Sequence, residues 1–219
     1  MLNIFDNFEA KTEGYLPFTP INIAYRHLDK KAKTILDLGC GKGDPMLFIN
    51  RRKTFQTVGV DIFTDYLKMC HKKHSHDEFV QSDIRELSFP KKSFDIALAL
   101  RVLEHLTKDE GSQLLQDLET IARSQVIIIT PIEQFKQSTY DHNIFQEHKY
   151  IWSPVELKSR GYKVYLNGIK GIQKDSATIT RFEKTVAGFG HVLWVLAGPV
   201  VLIFPSIAAN VVAVKNVQK

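Results

Sequence analysis

Cysteine is scarce: the chain of 219 residues has two, Cys40 and Cys70. Two thiols cannot build a disulfide framework, so stability must come from an apolar core, and a reducing, cytoplasmic setting is expected. The opening residues, Met1 to Glu9, carry acids and lack a basic stretch ahead of an apolar run, which argues against a secretory signal. Strong charge bias is also missing, with 29 Lys and Arg against 24 Asp and Glu, a net charge of +5. The basic clusters Arg51-Arg52-Lys53 and Lys72-Lys73 fall where helix C-termini are expected, and their charges suit the helix dipole there. Without a separate basic domain or aromatic residues interleaved with basic ones, no nucleic-acid partner is expected. His71, His74 and His76 form a short cluster with no cysteine pair close by in sequence, so a solvated helix end is expected rather than a metal site.

A hydrophobic fraction of 44% is ample for one domain over 1–219. The central stretch is Thr34 to Asp44, Thr-Ile-Leu-Asp-Leu-Gly-Cys-Gly-Lys-Gly-Asp. Ile35, Leu36 and Leu38 make a strand that is apolar on both faces, as in a parallel sheet covered on each side. Gly39, Gly41 and Gly43 allow a tight turn and close approach to a ligand. Asp44 is read as an N-cap and Pro45 as the first helical residue, so backbone amides should face that ligand. A pyrophosphate fits poorly, because the sixth place counted from Gly39 is the carboxylate of Asp44 where the dinucleotide fingerprint needs glycine.

Further strands follow at regular intervals. Thr57 to Asp61 ends on an acid, and an acid at the carboxyl end of the second strand can accept hydrogen bonds from ribose hydroxyls. Glu78 to Asp83 ends likewise, with Ile84 behind it; Phe94 to Leu100 and Val126 to Thr130 are the fourth and fifth strands. Thr64 should cap the helix after the second strand. Thr107 with Glu110 and Ser153 with Glu156 are capping boxes, and Gly161 marks a helix end before a strand at Tyr162 to Leu166. Residues 1–33 read as an N-terminal lid and helix, with Thr19 and Pro20 opening the helix over Ile21, Ala24, Tyr25 and Leu28.

The run Asp37, Gly39, Gly41, Gly43 resembles the D-x-G-x-G-x-G motif of the class I S-adenosylmethionine-dependent methyltransferases, of the common small-molecule type. Arg101-Val-Leu-Glu-His-Leu106 resembles that family's turn after the fourth strand, and Glu147-His-Lys-Tyr-Ile-Trp-Ser-Pro-Val-Glu156 its run before the sixth. The resemblance covers 34–166 and implies an α/β, Rossmann-like fold: a mostly parallel seven-stranded sheet flanked by helices, with an antiparallel strand at one edge. It implies S-adenosylmethionine as cofactor and methyl transfer to a small acceptor. Cofactor contacts are expected from Asp37, Gly39, Cys40, Gly41, Gly43, Asp61, Ile62, Asp83, Ile84 and Arg101. Glu104, His105 and His148 are candidates for removing a substrate proton, with His142 and Glu147 nearby, and supporting a neighbouring side chain or the fold is the alternative role for them.

The chain departs from the resemblance after Leu166. Between Lys184 and Lys215 there is no Asp, Glu, Lys or Arg, and Val192 to Phe204 is almost wholly apolar. An insertion at 167–209 ahead of a last strand and tail at 210–219 accounts for this. Glycines and prolines interrupt the run, so a membrane span is disfavoured; a buried helix pair or dimer contact competes with peripheral docking of Val186 to Ser206 on a membrane, and docking is preferred. A lipid or other membrane-resident acceptor fits that reading. The alternative is a non-catalytic membrane- or partner-binding module on the same fold, and a dinucleotide oxidoreductase ranks below it.

Overall fold

The computed structural model describes residues 13–132, 143–170 and 198–217. Strands β1 (Thr34–Leu38), β2 (Gln56–Asp61), β3 (Glu78–Gln81), β4 (Phe94–Leu100), β5 (Ala122–Pro131), β6 (Lys163–Ile169) and β7 (Ala208–Asn216) form one sheet in the order β3-β2-β1-β4-β5-β7-β6. Neighbours from β3 to β5 run parallel, and β7 runs antiparallel to both β5 and β6. The antiparallel strand therefore lies one position in from the edge, where an edge position was expected. Its composition explains the difference: Ala208 to Val214 are all buried, whereas β6 carries Lys163 and Tyr165, which an edge tolerates.

Alternation along the strands divides the core into two layers. Leu36, Leu38, Ala97, Ala99, Val126 and Ile128 pack beneath α4 (Lys108–Ile121) and α5 (Pro154–Ser159), through Leu114, Leu115, Leu118, Trp152 and Leu157. Ile35, Ile96, Leu98, Ile127 and Ile129 face the opposite layer, with Ile21 and Ala24 of α1 (Pro20–His27) and Met46 and Ile49 of α2 (Asp44–Ile49). This is the sheet buried on both faces that the apolar strand sequences require.

Local signals place most helix ends. Thr19 caps α1 with Pro20 at its first position, and both capping boxes close as expected, at Thr107 with Glu110 and at Ser153 with Glu156. Two starts are shifted by one residue. Gly43, in the left-handed region, caps α2, so Asp44 is the first helical residue and its carboxylate instead pairs with Lys73 at 2.8 Å. Phe63 caps α3 (Thr64–Lys73), and the Thr64 hydroxyl accepts from Gln81 at 2.9 Å. In both cases a tertiary partner took the side chain the local cap would have used.

The lid expected at 1–33 is described from residue 13, where Tyr15 stands edge-on to Phe48 with 4.9 Å between ring centroids. Of the apolar run, a short helix α6 (Gly198–Ile203) and a turn at Pro205–Ile207 are described. His142 and the part of the run up to residue 197 lie outside the described residues. No helix among the described residues is long and apolar enough to cross a membrane.

Candidate functional site

The carboxyl ends of β1, β2 and β4 converge on the glycine loop, the side of a parallel sheet where ligands bind. Gly39, Gly41 and Gly43 adopt φ of 67°, 53° and 77°. Their surroundings differ. A Cβ at Gly39 would meet Val102 at 2.5 Å and one at Gly43 would meet the Ser75 hydroxyl at 2.3 Å, whereas one at Gly41 would meet nothing within 4 Å. Gly39 and Gly43 are therefore glycine for packing, and Gly41 borders open space. Cys40 anchors the loop to β2 by donating its amide to the Val60 carbonyl at 2.9 Å.

Asp61, at the end of β2, is buried and accepts the Gly41 and Phe63 amides, each at 2.9 Å, one on each carboxylate oxygen. Burial raises its pKa, the two amides oppose that rise, and Asp37 and Cys70 add to it. Ile62 follows it, half-buried. Asp83 is closed into an ion pair with Arg85, whose Nε lies 2.9 Å from Oδ1, and this pair holds the Asp83 carboxyl below its ordinary range. Ile84 packs against the α4 layer of the core.

Asp37 is only 2% exposed. Its Oδ2 lies 3.1 Å from His76 Nε2, while Oδ1 is buried with no hydrogen-bond partner among the described residues. His71 and His74 are exposed as expected, but His76 is buried, which corrects the reading of all three as a solvated helix end. Its other nitrogen, Nδ1, lies 2.9 Å from the Ser75 hydroxyl. Burial pushes the His76 pKa down, but Asp37 and Cys70 outweigh it and lift it to about 9. Cys40, expected to face a cofactor, points beneath the loop beside Cys70, whose thiol donates to the Gly41 carbonyl at 3.1 Å.

A second group gathers after β4. Arg101 takes a positive φ of 59° and donates its amide to the Ile129 carbonyl at 2.7 Å, which turns the chain sharply into the Leu103–His105 turn. Glu104, only 2% exposed, accepts the Thr130 hydroxyl at 3.0 Å, and burial raises its pKa. Its carbonyl accepts the Lys149 amide at 2.7 Å, tying the 143–150 loop to the turn. The rings of His105 and His148 lie 5.1 Å apart. His105 donates from Nδ1 to the Glu147 carbonyl at 3.2 Å, which leaves Nε2 with its lone pair. Burial lowers the His105 pKa, against the opposing carbonyl bonds of Glu147 and Gln146, and so favours the neutral ring. Glu147 contributes through its carbonyl, and its side chain is exposed.

The methyltransferase domain family matches residues 35–125, which span β1 to the start of β5. That stretch of the chain is similar to a methyltransferase domain. An uncharacterized protein of Methanocaldococcus jannaschii is 29% identical over 159 residues, 70% of this chain and 66% of that protein. A fatty-acid O-methyltransferase of Mycolicibacterium smegmatis is 36% identical over 75 residues, 32% of this chain and 27% of that enzyme. The chain thus spans less than two thirds of either relative. The crystal structure of a SAM-dependent methyltransferase from Archaeoglobus fulgidus aligns with a TM-score of 0.60 at 20% identity, covering 98% of this chain and 100% of that one. At that identity the likeness concerns the fold alone.

Proposed function

We propose that this protein transfers a methyl group from S-adenosylmethionine to a small apolar acceptor. The observation that carries the cofactor assignment is the pairing of Gly41 with Asp61: a loop residue bordering open space, hydrogen-bonded to a buried carboxylate at the end of β2. Each Asp61 oxygen spends one lone pair on an amide and keeps another for a ribose hydroxyl. Asp37 Oδ1, buried and without a hydrogen-bond partner among the described residues, is an acceptor suited to the cofactor's ammonium group. Gly39, Gly43 and Cys40 shape the loop from behind. Asp83 and Ile84 border the adenine end, where Asp83 exchanges part of its pairing with Arg85 for the exocyclic amine.

Once bound, the cofactor supplies a methyl carbon activated by its sulfonium and leaves as S-adenosylhomocysteine. The protein aligns the acceptor with that carbon and excludes water. Where the acceptor must lose a proton, His105 Nε2 takes it, because the Nδ1 bond to Glu147 fixes the tautomer and burial favours the neutral ring. Glu104 holds the turn in place, and His148 stands beside His105 as the second wall.

The apolar character of the acceptor rests on α6 and the residue after it. Ile203 and Phe204 are 71% and 57% exposed, and the turn that follows enters β7 beside Pro131, at the same edge of the sheet as the glycine loop. The name of the fatty-acid O-methyltransferase relative agrees with such an acceptor. Peripheral contact of this apolar segment with a membrane would deliver it. Calorimetric titration with S-adenosylmethionine, followed by transfer of labelled methyl to lipid extracts, tests the reading. Saturable binding and labelled lipid are expected; labelling confined to polar acceptors would overturn the apolar assignment, and no binding by folded protein would overturn the whole.

A further inference from the structure

Beneath the glycine loop lies a cluster that the proposed chemistry leaves unused. Cys40 Sγ, Cys70 Sγ and one ring nitrogen of His76 all lie within 4.8 Å of one another, and all three residues are buried. They come from three places in the chain: the loop after β1, the last turn of α3 and the lead into β3. Two glycines make room for them. A Cβ at Gly59 would meet the His76 ring at 3.0 Å and Cys40 Sγ at 3.1 Å, and one at Gly43 would meet Cys70 Sγ at 2.9 Å.

The tautomer follows from the partners of the ring. His76 Nε2 faces the Asp37 carboxylate at 3.1 Å and donates its hydrogen there. Nδ1 is then the nitrogen turned toward Ser75, at 2.9 Å, and it offers a lone pair to a metal once its proton has left. A carboxylate holding the far nitrogen of a histidine is the usual support of a histidine metal ligand, since it fixes the ring and raises its basicity. Two thiols and one such imidazole form a soft, mixed sulfur and nitrogen set.

We propose that Cys40, Cys70 and His76 bind a single zinc-like divalent cation, with Asp37 as the residue that positions His76. Tetrahedral zinc with bonds of about 2.3 Å to sulfur and about 2.0 Å to nitrogen places its ligand atoms roughly 3.5–3.8 Å apart, so the cluster needs only a small contraction. The Ser75 hydroxyl yields its contact with Nδ1 and turns to the Cys70 carbonyl, which lies 3.5 Å away. The thiol protons, whether on sulfur or passed to His76, leave on binding. The metal ties the glycine loop to α3 and β3. Because the ligands are 30 or more positions apart between Cys40 and the other two, no sequence motif announces the site.

Cobalt(II) is the probe. The full chain, reduced and stripped with chelator, is titrated with cobalt while its absorption is followed, and zinc is then added. One equivalent giving tetrahedral visible bands with thiolate-to-cobalt charge transfer, both removed by zinc, is the expected result. Glu104, His105 and His148 also lie within 4.8 Å of one another, but cobalt held there has no thiolate and gives no such band. Cys70→Ser should abolish most of the charge-transfer intensity, and Asp37→Asn should weaken cobalt affinity by about 10- to 100-fold. Should these variants fail to fold, alkylation of the unmodified chain decides: zinc should slow modification of both cysteines and chelator should restore it. Absence of a thiolate band at saturating cobalt, or alkylation indifferent to zinc, overturns the proposal.

Discussion

The Asp61 carboxylate accepts the Gly41 amide at 2.9 Å, so the end of β2 and the tip of the glycine loop are held by one hydrogen bond. Its second oxygen holds Phe63 at the start of α3. One buried acid therefore fixes both walls of the proposed ribose site.

Replacing Asp61 with Asn keeps an oxygen acceptor for one amide and removes the charge. Losing charge-assisted bonds worth about 1.5–3 kcal/mol should weaken S-adenosylmethionine binding roughly 10- to 100-fold. Calorimetry on the variant, alongside a melting curve confirming that it is folded, checks this. An unchanged dissociation constant would remove Asp61 from the site.

The glycines of the loop should separate by phenotype. Gly39→Ala drives a Cβ into Val102 at a positive φ and should cost about 1–3 kcal/mol of stability. Gly41→Ala meets no protein atom and should cost about 1 kcal/mol, yet it intrudes on the ligand space. Denaturant midpoints paired with cofactor titrations distinguish the two, the larger binding loss being expected at Gly41.

Gly111, in α4, is a packing glycine of another kind. A Cβ there would meet the buried ring of Trp152 at 2.8 Å. Helix propensity favours alanine by about 1 kcal/mol at such a position, but the clash should win, giving a net loss of about 1–2 kcal/mol. Urea denaturation of Gly111→Ala measures it; a stabilised variant would mean that the ring shifts freely.

Glu156 carries a pH signature. Burial alone would raise its pKa, but Tyr150, the Ser153 amide and hydroxyl, and Lys108 lower it from 4.5 to about 2. Because the folded value lies below the unfolded one, this carboxylate stabilises the fold above pH 4.5, and that contribution fades as pH falls toward 2. Melting temperatures of the parent and Glu156→Gln should differ most near neutrality and converge in acid. A gap constant across that range would assign the effect to shape rather than charge.

Strands were legible in the sequence because β1 and β4 are bounded by turns and apolar on both faces, and their ends fall where the residues place them. The β5 and β6 ends extend further, since Ala122 is recruited by pairing with Phe94 of β4 and Ile169 by pairing with Ala208 of β7. The inner place of β7 and the burial of His76 were not legible. Both depend on partners far along the chain: β5 pairs Ile128 with Ala213, and His76 meets Asp37. Local pattern carries the propensity of a segment but not its tertiary partner. The same limit hid the Cys40 and Cys70 contact and assigned Asp44 to a cap.

β6 and β7 are antiparallel neighbours whose connection runs through residues 170–207. The entropy of closing such a loop grows only with the logarithm of its length, about 0.6 kcal/mol for each doubling. The apolar segment can therefore lengthen, shorten or change composition while the sheet it interrupts stays closed, which leaves the proposed acceptor side of this fold open to variation at almost no thermodynamic penalty to the proposed cofactor side.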